Sequence, residues 1–161
     1  CLVGSEMCIR DRDISSDLSF KQYAVDDMVR QVIRKYAKIF ISKKIKMNFK
    51  PTGRYTVTDD KWFVFVLEQF ISNALKYTKK GQISIYMKEK SLVIEDTGIG
   101  IPAEDLPRIF EKGFTGYNGR ENKKSTGIGL YLCKNIMDKL QWNITADSEV
   151  GRGTKIYLTK M

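Results

Sequence analysis

The chain has 161 residues, of which 42% are hydrophobic, with 28 Lys and Arg against 19 Asp and Glu and a formal net charge of +9. This length and composition indicate one globular domain with a sizeable core. The longest unbroken apolar run, Trp62 to Leu67, is far too short to cross a membrane. The absence of histidine excludes histidine-based acid–base catalysis, most zinc sites and a phosphoacceptor histidine within this chain.

The basic balance favours polyanionic partners such as a nucleotide, nucleic acid or an anionic membrane surface, although scattered lysines also serve simply to solvate a surface. The cysteines, Cys1, Cys8 and Cys133, have no framework spacing, which favours a reduced, cytosolic setting. Residues 1–13 resemble a translated sequencing-adapter tail. We therefore expect a non-native tail there and one domain over residues 14–161.

The first elements alternate strand and helix. An edge strand is expected within residues 17–25. Asp26 and Asp27 are predicted to cap a helix that runs to about Ser42, because apolar residues recur there at helical spacing. Two short strands follow, at residues 45–50 and 55–58, with a turn between them at residues 51–53.

The next predicted helix begins at Asp59 or Asp60 and ends near Thr78. Its first part, WFVFVL, is apolar on all sides and should be buried. Its second part carries a line of polar side chains at helical spacing: Gln69, Asn73, Lys76 and Tyr77. This line is either a simple exit to solvent or the wall of a site, because a buried Gln or Asn needs a partner.

A strand over residues 82–88 and a second apolar strand lead into a tight turn, Asp96-Thr97-Gly98-Ile99-Gly100. The glycines let a flat ligand approach the backbone, and the Asp96 carboxylate can accept a hydrogen bond from an amino group such as that of adenine. On its own this motif is more often only a turn.

The rest of the chain predicts a short helix at best over residues 104–110 and then a polar segment, residues 111–126, that is either a functional lid or disordered. Gly127 opens a helix to about Leu140, and its glycine-rich start offers backbone N–H groups to an anion. Alternating apolar residues on both sides of residues 149–153 predict a final hairpin.

Together these elements favour a nucleotide site. Asn73 offers a carboxamide oxygen suited to Mg²⁺, Lys76 can neutralise phosphate charge and Tyr77 can stack on a base. The helix start at Gly127 and the basic segment before it would receive phosphates. The sequence contains neither a P-loop nor a dinucleotide-binding fingerprint.

This set of motifs resembles the catalytic ATP-binding domain of sensor histidine kinases, within the superfamily that also holds gyrase B, Hsp90 and MutL. The matching motifs are an asparagine box at 69–77, glycine boxes at 96–101 and 127–130, a phenylalanine box at 110–114 and a closing Gly-Arg-Gly-Thr at 151–154. The resemblance implies an α/β (α+β) two-layer sandwich of Bergerat type, with a mixed β-sheet, helices on one face and ATP between helices and lid. It also implies that Thr154 lies beside Asp96 near the adenine.

The motifs and the resemblance together assign nucleotide contacts to a larger set of residues: Gln69, Asn73, Lys76, Tyr77, Asp96, Gly98, Gly100, Ile101, Phe114, Thr115, Gly116, Lys124, Ser125, Thr126, Gly127, Ile128, Gly129, Leu130 and Thr154. Asn73 is also the expected metal ligand, so ATP and Mg²⁺ are the expected cofactors.

A narrower resemblance is to the small intramembrane-sensing kinases of Gram-positive bacteria, which respond to bacitracin and other envelope-active peptides with partner ABC transporters. It implies the cytoplasmic domain of a plasma-membrane kinase. The implied partners are a dimerisation domain that carries the phosphoacceptor histidine, a response regulator and an ABC transporter, with no nucleic acid.

Gln69 departs from the pattern of the hydrolytic relatives, which have glutamate four residues before the box asparagine. Glutamine cannot act as a base, so the resemblance favours a domain that holds ATP for transfer. Two alternatives remain open: a serine kinase of the same superfamily that acts on an anti-anti-sigma factor, and a basic module that binds nucleic acid with strong salt dependence.

Overall fold

The computed structural model describes residues 18–111 and 129–160. Its strands are β1 Lys21–Ala24, β2 Lys46–Phe49, β3 Tyr55–Thr58, β4 Gln82–Lys88, β5 Ser91–Asp96, β6 Trp142–Glu149 and β7 Gly153–Lys160. Its helices are α1 Val25–Lys43, α2 Asp60–Tyr77 and α3 Gly129–Lys139, with a 3₁₀ turn at Leu106–Arg108. The predicted strands, helices and final hairpin within the described ranges are therefore confirmed.

The main sheet has five strands in the order β2-β4-β5-β7-β6, and β1 pairs with β3 in a separate two-stranded sheet. Only the β2–β4 pair of the main sheet is parallel, because α2 carries the chain back between these two strands. The two strands predicted at 45–50 and 55–58 are neighbours in sequence but lie in different sheets, since β2 belongs to the main sheet and β3 pairs with β1.

The core lies between one face of the main sheet and the three helices. Ile94 stands opposite both Ile85 and Ile156 in the strand register, and these isoleucines are all buried. Phe63, Leu67 and Ile71 of α2 are at most 1% exposed and belong to the same cluster. Each such side chain contributes roughly 1.5–3 kcal/mol by its burial. The predicted sandwich of a mixed sheet with helices is confirmed.

The opposite face of the sheet carries a cluster of polar side chains. Tyr86 Oη donates a hydrogen bond of 2.7 Å to Glu95 Oε1, and Lys155 Nζ lies 3.8 Å from the same oxygen. Burial and the neighbouring Glu95 carboxylate raise the pKa of Tyr86 to about 12. Within the described ranges, no helix has the length and hydropathy that a bilayer span requires.

Asp26 does not cap α1, and the prediction that it does is wrong. The helix begins at Val25, after Ala24, and Asp26 lies inside the first turn with its carboxylate buried. Its oxygens accept hydrogen bonds from Thr52 N at 2.8 Å, Thr52 Oγ1 at 2.7 Å and Gly53 N at 3.0 Å. The loop between β2 and β3 supplies these donors, so the carboxylate binds the loop rather than the helix terminus. Asp27 does not cap α1 either, since it also lies within the first turn.

Of the two predicted starting residues of α2, Asp59 is the cap and Asp60 is the first residue of the helix. Asp59 Oδ1 accepts a hydrogen bond from Trp62 N at 3.3 Å, and Asp59 Oδ2 accepts one from Ser19 N at 2.7 Å. One carboxylate thus orients the start of α2 and holds the segment that precedes β1.

Candidate functional site

The candidate site begins as a polar row at one end of the main sheet. The register places Thr154 opposite both Asp96 and Ser148. Directly opposed residues point to the same face, and this row lies next to the apolar row of Ile94 and Ile156, so its side chains are on the helix-bearing face. The predicted proximity of Thr154 and Asp96 is confirmed.

The Asp96 carboxylate has one occupied and one available oxygen. Oδ1 accepts hydrogen bonds from Gly98 N at 2.9 Å and Thr154 N at 3.3 Å. Oδ2 has no partner among residues 18–111 and 129–160. Burial raises the pKa of Asp96 above its ordinary value and the neighbouring Glu95 adds to this, while the two amide donors oppose the shift.

Ser148 connects three backbone and side-chain groups at the end of this row, and the sequence-based prediction missed it. Its Oγ accepts from Ile101 N at 2.8 Å, donates to Gly153 O at 2.8 Å and lies 2.9 Å from Thr154 Oγ1. The available signal was the alternation of β6, in which Ser148 continues the inward-facing series of Ile144 and Ala146.

The turn after Asp96 fits closely between α2 and the β6–β7 hairpin, which explains its glycines. A Cβ added to Gly98 would lie 2.6 Å from Tyr77 O, and Ile99 N donates to that same carbonyl at 3.1 Å. Gly100 has φ +79° and faces the backbone of Glu149, where a Cβ would lie 2.7 Å from the carbonyl carbon. No side chain larger than hydrogen fits at either position without moving the backbone.

The polar line of α2 lies partly exposed at the same end of the molecule. Asn73 is half-buried, and its carboxamide has no hydrogen-bond partner among the described residues. Lys76 Nζ lies 5.2 Å from the centroid of the Tyr77 ring. A Cβ added to Gly129 would lie 2.5 Å from Gln69 Oε1, so the line also meets the first described turn of α3.

Lys43 supports this arrangement from α1 and was also missed by the sequence-based prediction. Its ammonium donates a hydrogen bond to Leu75 O in the last turn of α2. A cation there satisfies a terminal carbonyl and complements the negative end of the helix dipole. α1 thereby fixes the helix end that carries Lys76 and Tyr77.

Part of the predicted site falls outside the residues that the structure describes: Phe114, Thr115, Gly116, Lys124, Ser125, Thr126, Gly127 and Ile128. Leu130 is described and packs partly buried against the core. The lid and the start of the helix predicted at Gly127 stay predictions.

The described residues fit a magnesium ion that is shared with a nucleotide better than one held by the protein alone. They include no group of three or more His, Cys, Asp or Glu side chains that could hold a metal. Mg²⁺ commonly keeps several waters and binds through one or two protein oxygens plus substrate phosphates. The unpartnered Asn73 carboxamide meets that requirement.

A separate apolar groove of about 440 Å³ lies between α1 and β2, lined by Ile33, Ala37, Phe40, Ile41, Lys44, Ile45, Lys46 and Met47. It contains none of the predicted site residues. The polar row, rather than this groove, is therefore the candidate site.

The fold is a sandwich of helices on a mixed sheet with a polar row at one end, and comparison with known proteins shows its family. A family model described as "Histidine kinase-, DNA gyrase B-, and HSP90-like ATPase" matches residues 58–160. The chain belongs to this family.

Similar curated proteins are sensor kinases. The sensor histidine kinase YxdK of Bacillus subtilis (strain 168) is 34% identical over 155 residues, which cover 90% of this chain and 48% of YxdK. The sensor protein BceS of the same strain is 34% identical over 150 residues, which cover 91% of this chain and 45% of BceS. The chain thus spans about half the length of these relatives. The predicted resemblance to sensor kinases of Gram-positive bacteria is confirmed.

A similar fold is seen in the crystal structure of full-length ShkA in complex with AMPPNP. The TM-score is 0.74 at 18% identity, and the match covers 96% of this chain and 35% of ShkA. At this identity the likeness concerns the fold.

Proposed function

We propose that this chain is the catalytic domain of a sensor histidine kinase, which binds ATP with Mg²⁺ and donates the γ-phosphoryl group to a histidine on a separate dimerisation domain. The observation that carries the proposal is the available Oδ2 of Asp96, whose other oxygen, Oδ1, accepts hydrogen bonds from two backbone amides at the end of the sheet. Family membership and the AMPPNP complex of ShkA support a nucleotide as the ligand.

The side chains of the site have separate roles in this proposal. Asp96 accepts the adenine amino group, Thr154 contacts the same edge, and Tyr77 stacks on the base. Lys76 neutralises phosphate charge, and Asn73 holds Mg²⁺, which would shield the phosphate oxygens. The helix start at Gly127 to Leu130 and the segment from Phe114 to Thr126 complete the phosphate side.

The acceptor has to lie outside this sequence, because the chain contains no histidine. Phosphoryl transfer needs mainly positioning and charge neutralisation, so one domain can supply these while another supplies the nucleophile. Gln69 lies against Gly129 and has no proton-accepting carboxylate, which suits a site that retains ATP until the acceptor docks.

The wider assignment draws on the sequence for the bounds of the domain and on the relatives for the full protein. We propose that residues 14–161 form the catalytic domain, and that residues 1–13 are not native to it. The full protein would be a plasma-membrane kinase with this domain in the cytoplasm. It would work with a response regulator and an ABC transporter in sensing envelope-active peptides. Because YxdK and BceS are named as sensor proteins, they favour this reading over a serine kinase or a nucleic-acid module.

The test is transfer from radiolabelled ATP to an added dimerisation hairpin from a relative such as YxdK. We expect acid-labile phosphate on the hairpin, none on this chain, and none on a hairpin whose acceptor histidine is replaced by alanine. Acid-stable label on a serine of an added protein would favour the serine kinase instead.

Hydrolysis without a partner should be slow. Because a glutamate base contributes roughly 10²- to 10⁴-fold in rate, Gln69→Glu should raise hydrolysis if water reaches the γ-phosphate. A wild-type chain that hydrolyses ATP at many turnovers per second with no partner present would overturn the proposal in favour of an ATPase.

A further inference from the structure

We infer that Ser148 is a specificity-determining positioning residue. It orients the Thr154 hydroxyl so that this group can only accept a hydrogen bond from the ligand. The site therefore binds a base with an exocyclic amino group, which donates hydrogen bonds, and disfavours a base with a carbonyl oxygen in that place. The inference rests on the proposed function, since it concerns the same nucleotide site. It goes further because it assigns the discrimination between bases to a residue outside the recognised motifs.

The Ser148 hydroxyl has a single proton to donate. Gly153 O can only accept and Ile101 N can only donate, and both lie 2.8 Å from Ser148 Oγ. The Ser148 proton is therefore committed to Gly153 O, and one lone pair is committed to the Ile101 amide. What remains toward Thr154 Oγ1, 2.9 Å away, is a lone pair.

The Thr154 hydroxyl must then be the donor in its contact with Ser148. A threonine hydroxyl has one proton and two lone pairs, so only lone pairs remain on Thr154 Oγ1 for a ligand. Its backbone N–H is also committed, since it donates to Asp96 Oδ1. Thr154 is half-buried and stands at the site as an acceptor only.

Asp96 adds a second acceptor to the same row. Its Oδ1 already accepts two amides and its Oδ2 is available, so the Asp96–Thr154 pair presents oxygen lone pairs and no proton. An exocyclic amino group has two N–H donors that match such a pair, either directly or through a water molecule. A carbonyl oxygen in its place, as in hypoxanthine or guanine, would face lone pairs and leave buried acceptors unpaired.

A purely structural role for Ser148 makes a different prediction. Ser148 also ties Ile101 to the β6–β7 turn, so its loss could loosen the site as a whole. Loosening would lower the affinity for every purine nucleotide by the same factor. A released Thr154 proton, in contrast, would let the hydroxyl rotate and donate, which helps a carbonyl-bearing base and harms an amino-bearing one.

The experiment compares ATP with inosine triphosphate by calorimetric titration of the whole chain. Wild type should prefer ATP strongly. Ser148→Ala should reduce the ATP-to-inosine-triphosphate affinity ratio about tenfold, the scale of one reversed hydrogen bond. Ser148→Thr keeps a hydroxyl and should restore the ratio. Thr145→Ala removes a hydroxyl from the exposed face of the same strand and should leave the ratio unchanged.

A double-mutant cycle with Thr154→Val isolates the proposed coupling. Thr154→Val alone should lower the ratio, and Ser148→Ala added to it should lower the ratio no further. If Ser148→Ala does not fold, Thr154→Val still decides, because an unchanged ratio in that variant overturns the inference.

The outcomes separate the two proposals. A wild-type chain that binds no adenine nucleotide overturns the proposed function itself. The other outcome is that wild type strongly prefers ATP and that Ser148→Ala lowers the affinities for ATP and inosine triphosphate by the same factor. This result would leave the proposed function standing and overturn the inference.

Discussion

At the scale of single residues, the environment of Asp96 defines what an isosteric change would do. Asp96→Asn keeps the shape but replaces one acceptor oxygen by a donor, and removes the charge that strengthens the hydrogen bond to the ligand. We expect ATP affinity to fall by about 2 kcal/mol, roughly thirtyfold, in a calorimetric titration. The wild-type chain should also bind ATP far better than GTP.

Glu95→Gln is the matched control for this change. Glu95 is the preceding residue, but it points to the opposite face of the sheet, where it accepts a hydrogen bond from Tyr86 Oη. The Glu95→Gln substitution alters net charge by the same amount as Asp96→Asn but does not change the polar row, so ATP affinity should stay near the wild-type value. Equal losses in both variants, or equal affinity for ATP and GTP, would contradict the role assigned to Asp96.

Asn73 carries the prediction about the metal. Asn73→Asp adds a charge at a half-buried position that has no hydrogen-bond partner among the described residues. If the carboxamide is a ligand, the Mg²⁺ concentration that gives half-maximal ATP binding should shift. Asn143→Asp makes the same chemical change at an exposed position of β6 and should not shift it. An unchanged Mg²⁺ dependence in Asn73→Asp would remove Asn73 from the list of ligands.

At the scale of elements, Asp26 makes a testable link between α1 and the β2–β3 loop. Asp26→Asn replaces an oxygen that accepts donors from Thr52 or Gly53 by an amide donor that repels them. We expect the free energy of unfolding in urea to fall by about 2 kcal/mol at neutral pH, the scale for hydrogen bonds to a charged group. Asp27→Asn, at the adjacent position with a side chain 80% exposed, should change it little.

The same link predicts a pH dependence. Burial alone would raise the pKa of Asp26, but the donors of Thr52 and Gly53 outweigh it, with a smaller contribution from Arg30, and the pKa is lowered from 3.8. The stabilisation is therefore fully present above pH 3.8 and is lost as the pH falls through the lower pKa of the folded state. The difference between wild type and Asp26→Asn should shrink in acid. A difference that stays constant below pH 3.8 would contradict this account.

The elements also show which parts of the molecule are predictable from the sequence. The extent of α2 and the close turn at Gly98 follow from local patterns, because helical spacing and glycine requirements act within a few residues. The role of Asp26 could not be predicted from the sequence, because an aspartate in the first turn that binds a distant loop has the same sequence pattern as an aspartate that caps the helix. Ser148 was missed for the same reason, since its partners Ile101 and Gly153 belong to different elements.

At the scale of the whole molecule, the two faces of the main sheet have different chemistry. The helix-bearing face is apolar over its central rows and becomes polar at one end, in the row of Asp96, Thr154 and Ser148. The other face carries the Tyr86–Glu95–Lys155 cluster. The row lies beside the end of α2, because Ile99 N of the following turn donates to Tyr77 O, so in the proposed function a nucleotide would be held by the sheet end and α2 together.

The separation of Asp96 and Thr154 by 58 residues bears on the order in which the protein folds. The β4–β5 and β6–β7 hairpins join neighbouring strands and can form early, whereas the β5–β7 pairing must first close a long loop. Asp96 belongs to one hairpin, and Thr154 with Ser148 to the other. Neither hairpin alone contains the row, so a chain arrested before the two halves dock would have native-like local structure and no capacity to select a base.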